Sequence, residues 1–313
     1  MSGAFTQDTA GAVAVHCNTH DGKQITVSLV EQTTGKPIRG GMAKLQGEGF
    51  ASDWTLCQRS GSHTFTKLHT GRYTAKAFHH GYELAPSGVT KKASTHIVFR
   101  GYPKANVSFG VDSNQTGLDL GHCKSEGKRF IGRYLSDDGT GNDPPLEQEH
   151  VAKYGTHGLD LLLIWEKTKY RARDQPDLGP QDAADALTAM THCGLGQDRV
   201  VYFTADFTIS HQEWIGGAGE PVMQYFQGIH DNFPHANIGA YGTYETLKHL
   251  FDNHLIAYGW QMIFGAKGKE IDPRVTLYQY DIWPDQAPYG VAAEGGLDLD
   301  CAVGPIGSFR FTG

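Results

Sequence analysis

Residues 199–207, Arg199-Val200-Val201-Tyr202-Phe203-Thr204-Ala205-Asp206-Phe207, read as a strand that ends on an acid. Period-2 alternation puts Asp206 on one face with Thr204 and Tyr202. An Ala-rich helical pattern, Asp182 to Cys193, precedes the strand and stops at Gly194. A second helical pattern, Pro221 to Phe233, follows it and opens on the residue type that tolerates a helix start. The unit is therefore strand and helix in alternation.

The same rhythm extends outward in both directions. Strands read at 107–113, 129–135, 159–166, 237–241, 257–263, 276–281 and 296–302, with helical patterns at Leu146–Tyr154 and Tyr244–Leu255. Eight strands alternating with helices predict a short α/β, TIM-type (β/α)8 barrel. An open doubly wound sheet would carry a Gly-rich phosphate loop after its first strand. Here that strand is followed by Asp112-Ser113-Asn114-Gln115, which does not fit.

Upstream the rhythm is all β. Gln24–Val30 and His63–Leu68 alternate, Met42–Leu45 and Gly71–Ala77 follow turns, and His96–Phe99 gives a last strand. The expected organisation is a flexible N-terminus over 1–12, an N-terminal all-β sandwich over 13–103, and the barrel over 105–313.

Chemistry in such barrels sits at the C-terminal strand ends. The first strand ends on Asp112, the third on Trp165-Glu166 and the fourth on Asp206, and the last contains Asp298 and Asp300. An unpaired carboxylate is too costly to bury against the helix layer. Asp206, Glu166, Asp112 and one of the two last-strand acids, Asp298 or Asp300, are thus expected to point into the barrel mouth as the catalytic set. Arg133, Tyr134, Trp165, Tyr241, Trp260, Gln261, Gln279 and Asp300 are the expected substrate-binding set. Glycosidic-bond cleavage needs this pattern: one carboxylic acid to protonate the leaving oxygen, a second carboxylate as base, nucleophile or stabiliser, and aromatic faces for sugar rings. The alternative is a structural role, with Arg133 pairing several of these acids.

The segments FGVDSN, RFIGRYL, LLLIWE, VVYFTADF, IGAYG, YGWQ, LYQYD and GLDLD, in that order, resemble the glycoside-hydrolase-like domain of the DUF1906 (Rv2525c-like) family. That family is related to the family 25 muramidases, which cleave peptidoglycan glycan strands. The likeness covers roughly 107–303. It implies that Asp112 matches the first-strand Asp and Asp298 the last-strand Asp, with Asp300 as rival. Asp206 falls where the muramidases carry the Glu of an Asp-x-Glu pair and is expected to be the general acid. Thr204 stands where they carry the Asp, so Glu166 is expected to supply the second carboxylate. The N-terminal stretches TGKPIRGGMAKL and LHTGRYTAKA resemble transthyretin-like or carboxypeptidase-regulatory-like sandwiches.

The resulting expectation is a muramidase-like hydrolase acting on a bacterial cell-wall glycan such as peptidoglycan. A catalytically inactive carbohydrate-binding barrel is the alternative, favoured by Thr204. An exported antibacterial effector or phage-type lysin is a biological role compatible with the first. Composition agrees: charged residues are 19%, aromatics 11%, and the net charge of −7 offers no basic stripe for nucleic acid. No apolar run approaches the about 20 residues of a membrane span, and none near Met1 resembles a signal-peptide core. Synthesis in the cytoplasm is expected, with any export by a non-classical route and a secretion-machine partner through the N-terminal domain. No cofactor or metal is expected: there is no HExxH, CxxC, GxSxG or phosphate loop. The cysteines are Cys17, Cys57, Cys123, Cys193 and Cys301. They read as reduced apolar residues, with Cys17 and Cys57 the pair that could bridge under oxidation. Gly216-Gly217-Ala218-Gly219 reads as a flexible connection at the barrel rim.

Overall fold

The computed structural model describes residues 11–17, 23–47, 49–57, 59–91, 95–137, 145–262, 271–282, 287–290 and 296–311. All but the last two residues of the expected flexible N-terminus, 1–12, lie outside them, as does the Cys17 side chain. The chain divides into two compact units, Met1–Val107 with Lys267–Pro273, and Ser108–Ala266 with Arg274–Gly313.

The first unit holds β1 (Gly11–Cys17), β2 (Lys23–Glu31), β3 (Met42–Gly47), β4 (Phe50–Ala51), β5 (Thr55–Leu56), β6 (Ser62–Leu68), β7 (Gly71–Phe78), β8 (Tyr82–Lys91) and β9 (Thr95–Pro103). One sheet runs β1-β7-β3-β4 with β5 on β3, and the other runs β6-β2-β9-β8. The alternation read from the sequence is the reason these strands pack as two layers. Ile25, Val27 and Leu29 of β2, with Ile97 and Phe99 of β9, meet Ala43 and Leu45 of β3 and Tyr73, Ala75 and Ala77 of β7 in one core. The sequence pattern does not reveal β8. Its register against β9 shifts between Pro86 and Gly88, which breaks the period-2 signal. Cys57 is a free thiol in this core, and burial pushes its pKa up to about 12.

The second unit runs β10 (Ser108–Asp112), α1 (Leu120–Ser125), β11 (Phe130–Tyr134), α2 (Gln148–Thr156), β12 (Asp160–Trp165), α3 (Arg171–Asp174), α4 (Gly179–His192), β13 (Val201–Thr204), α5 (His211–Glu213), α6 (Glu220–Asn232), β14 (Ile238–Gly242), α7 (Tyr244–Asp252), β15 (Tyr258–Gln261), β16 (Leu277–Ile282) and β17 (Asp298–Ala302). Strands β10 to β17 close into a barrel in sequence order. The TIM-type architecture expected from the alternation is therefore present, with one difference. β17 is antiparallel to both of its neighbours, β10 and β16. Its N-terminal end consequently lies at the mouth, where the C-terminal ends of the other strands lie. Asp298 pairs with Asp112, and Asp300 sits one layer deeper, opposite Gly110.

Side chains that alternate inward fill the barrel. Phe130, Leu162, Ile164, Val200, Tyr202, Tyr241, Trp260, Met262, Leu277 and Ala302 form one buried cluster, with Tyr134 and Tyr258 packed against it. α6 covers the outside with Val222, Tyr225, Phe226 and Ile229, an apolar stripe at helical spacing. No helix among the described residues is long and apolar enough to cross a membrane.

Gly110 occupies an inward position because there is no room for a side chain. A Cβ there would sit 2.3 Å from the Phe130 ring. Gly110→Ala is expected to destabilise the barrel by about 1–3 kcal/mol, measured by urea unfolding. A stability equal to wild type would show that Phe130 can move freely.

Candidate functional site

Alternation decides which strand-end residues share the mouth. Gly110 and Phe130 face inward, so Asp112 and Tyr134 do too. Leu162 and Ile164 carry the phase to Glu166, one residue beyond β12. Tyr202 carries it through Thr204 to Asp206. Tyr241, Gln279 and Asp298 complete the ring. These side chains sense one another's charge. Glu166 lies within the influence of Asp206, Asp112 and Lys169, and Tyr134 within that of Asp112, Glu166 and Asp298.

Gln279 is the hub of the ring's hydrogen bonds. It is 3% exposed. Its amide nitrogen donates to Asp112 Oδ2 at 3.3 Å and to Asp298 Oδ2 at 3.0 Å. Its carbonyl oxygen accepts from the Tyr241 hydroxyl at 2.8 Å. Tyr134 Oη donates to Asp112 Oδ1 at 3.4 Å. Four strands, β10, β14, β16 and β17, are thus tied together through one amide. Ser136 fixes the backbone of Glu166: its hydroxyl donates to the Glu166 carbonyl at 2.6 Å and accepts from the Glu166 N–H at 3.1 Å. Thr204 hydrogen-bonds the Glu166 carboxyl group.

The carboxyl groups differ in protonation. Burial, then the Asp206 charge, pushes the Glu166 pKa up to about 8, against the pull of Thr204. Glu166 therefore carries its proton at neutral pH. Burial also raises Asp206, but Lys169 Nζ stands 3.5 Å from Asp206 Oδ2 and favours its charged form. Burial pushes the Asp112 pKa up to about 6, with hydrogen bonds from Asp300, Gln279 and Tyr134 offsetting only part of the rise. Asp300 is held well above the ordinary carboxylate range by burial and by Asp112. A neutral acid beside ionised carboxylates is the arrangement on which acid–base chemistry depends. Among the described residues no group of three or more His, Cys, Asp or Glu could hold a metal ion.

Several sequence-based expectations need correction. Arg133, Trp165 and Gln261 stand one residue out of phase with the inward positions and point to the barrel's outer face. Arg133 is fully buried there, its guanidinium donating to the carbonyls of Ser113, at 2.8 Å, and Gln115. It braces the loop after β10 and pairs with none of the mouth acids in these bonds. The Trp165 ring lies under Lys167 Nζ at 5.3 Å. Gln261 is fully buried. Trp260 faces inward but is 1% exposed, below the mouth, with its indole N–H on Asp300 Oδ1 at 2.9 Å. Neither Trp260 nor Asp300 can touch a sugar. Tyr134, half-buried, is an aromatic ring that does reach the mouth. Sequence reasoning missed Ser136 and Lys169. Lys169 had a signal, because it sits three residues past the strand-end Glu166.

A closed barrel of alternating strands and helices with carboxyl groups gathered at its mouth defines a glycoside hydrolase-like domain. The model of the Rv2525c-like, glycoside hydrolase-like domain matches residues 122–287, and the chain belongs to that family. The match begins after Asp112 and ends before Asp298, so those two strands enter the site by closure of the barrel. The Tat-secreted protein Rv2525c of Mycobacterium tuberculosis, solved with L-tartrate, superposes with a TM-score of 0.55 at 16% identity, over 64% of this chain and 98% of Rv2525c. Its complex with HEPES gives 0.54 at 16% identity, with 64% and 98% covered. At that identity the likeness shows the fold alone. The Clostridium perfringens spore cortex lytic enzyme SleM overlaps with a TM-score of 0.40 at 13% identity, over 64% of this chain and 68% of that one, too weakly to carry an argument. No curated protein sequence matches the chain.

Proposed function

We propose that the barrel cleaves glycosidic bonds of a bacterial cell-wall glycan, with Glu166 as the general acid. The carrying observation is that Glu166 holds its proton to about pH 8 while facing Asp206, a carboxylate with its own cation. Glu166 gives its proton to the glycosidic oxygen as the bond from that oxygen to the sugar's anomeric carbon breaks. Asp206 faces the positive charge that develops on the sugar ring, as carboxylates do in this chemistry. Asp112 and Asp298, held by Gln279, complete the negative wall, and the Tyr134 ring supports a sugar face. Water ends on the anomeric carbon and its proton returns to the carboxylates. The roles of Asp206 and Glu166 are thereby exchanged relative to the sequence reading. The choice of peptidoglycan is supported by the motifs shared with relatives of the muramidases.

Thr204 favours a second reading, a barrel that binds glycan without cleaving it. The hydroxyl at this position hydrogen-bonds Glu166 where a carboxylate would repel it. The discriminating experiment incubates wild type and Asp206→Asn with purified peptidoglycan and a small glycan panel. New reducing ends from wild type alone support the hydrolase. Substrate bound by both and cleaved by neither selects the binding barrel.

A further inference from the structure

The mouth rests on a carboxyl group that no substrate can reach. Asp300 is 1% exposed and sits one layer below Asp112 on the neighbouring strand β17, opposite Gly110 and diagonal to Asp112 on the same inward face. Its Oδ1 accepts the Trp260 indole N–H at 2.9 Å. Its Oδ2 is buried with no ordinary donor facing it, and its carboxyl group hydrogen-bonds the carboxyl of Asp112. Two carboxylates in contact cannot both be ionised, so one proton must lie between them. The neighbours decide where it resides. Asp112 receives two donors, Gln279 Nε2 and the Tyr134 hydroxyl, and lies nearer the mouth. Asp300 receives one. Asp298, on the same strand, adds further negative charge above Asp300. Lys128 is buried nearby but forms no ion pair with Asp300 among the described residues, so no cation in contact holds Asp300 in its charged form.

We infer that Asp300 is a positioning residue: a neutral carboxyl group sealed beneath the site that donates its O–H to Asp112 and so fixes the direction in which Asp112 presents its charge to the substrate. With the Asp300 O–H, Gln279 and Tyr134 all donating to it, Asp112 is held in one rotamer and remains an acceptor. Trp260 serves the same end, orienting Asp300 from the floor. For its kinetic consequence the inference rests on the hydrolase reading; for the protonation of Asp300 it does not.

The test uses the full chain. Glu166 carries a proton of its own, so infrared spectra are compared in the Glu166→Gln background. At neutral pH a buried carboxylic-acid carbonyl band is expected there, and it should vanish in Glu166→Gln/Asp300→Asn. Absence of the band in Glu166→Gln overturns the inference whether or not any glycan is cleaved. In the otherwise wild-type chain, Asp300→Ala is expected to lower kcat about 10- to 100-fold with little change in KM. It should also move the acid limb of the pH profile to higher pH, because Asp112 loses a donor that favours its charged form. Asp300→Asn should rescue much of the loss, since its amide can donate to Asp112 while its carbonyl accepts from Trp260. Equal loss in the Asn and Ala variants, or an unmoved acid limb in Asp300→Ala, overturns the inference. If Asp300→Ala does not fold, the Asn variant and the infrared comparison still decide.

Discussion

Glu166→Gln is expected to lower turnover of any cleaved glycan by about 10²–10⁴-fold, the usual contribution of a general acid, while glycan binding stays near wild type. Gln keeps the shape and can still pair with Thr204, but it has no proton to give. The wild-type rate should fall as pH rises through about 8, where Glu166 loses its proton, and the residual rate of the Gln variant should lack that limb. Stability supplies a readout that needs no substrate. The folded pKa of about 8 exceeds the about 4.3 of an unfolded Glu, so between those values the unfolded state has released a proton that the folded state keeps. Wild-type stability should therefore decline across this window, and the variant should escape this decline. Glu166→Gln is expected to melt above wild type at pH 8 and close to it at pH 4. Coincident melting curves at both pH values would remove the basis for calling Glu166 the acid.

Asp182→Ala is expected to destabilise the barrel by roughly 1–3 kcal/mol, the cost of leaving the buried Tyr225 hydroxyl without its acceptor and breaking a bidentate pair with the partly exposed Arg171. Asp182 on α4 is fully buried and makes three bonds. Arg171 Nε reaches its Oδ2 at 2.9 Å, Arg171 Nη2 its Oδ1 at 2.7 Å, and the Tyr225 hydroxyl its Oδ2 at 2.7 Å. One carboxylate thereby fastens α3, α4 and α6. The substitution strands the guanidinium and the phenol together. Asp182→Asn keeps the shape and part of the bonding, so its loss should be intermediate. The effect should extend to the site, because Arg171 anchors the loop that carries Lys169 to Asp206. Thermal unfolding of the three proteins checks the order. An Ala variant as stable as wild type would mean that Arg171 and Tyr225 find other partners without cost.

The barrel was readable from the sequence because its signal is local. A strand such as 199–207 declares itself by composition and by the helical patterns around it, and repetition of that unit leaves few architectures. The mouth acids were readable for a related reason: carboxylates at strand ends have nowhere else to go. Phase along each strand was also on the page. Arg133 is one residue from Tyr134, Trp165 one from Glu166, and Gln261 one from the inward Trp260. Alternation applied strictly would have placed all three outside.

Sequence alone thus determined the repeated strand-and-helix unit, the identity of the strand-end acids and the face each one shares, since all of these follow from neighbours a few residues away. Only the tertiary structure decided the rest. The reversal of β17 brings Asp298 to the mouth and drops Asp300 below it, because closing the barrel is a property of all eight strands together. The proton on Glu166 likewise depends on burial and on Asp206 and Asp112, which strands far apart in the chain deliver to one place. A pKa is set by what surrounds a group in space, and in this protein that surrounding exists only once the barrel has closed.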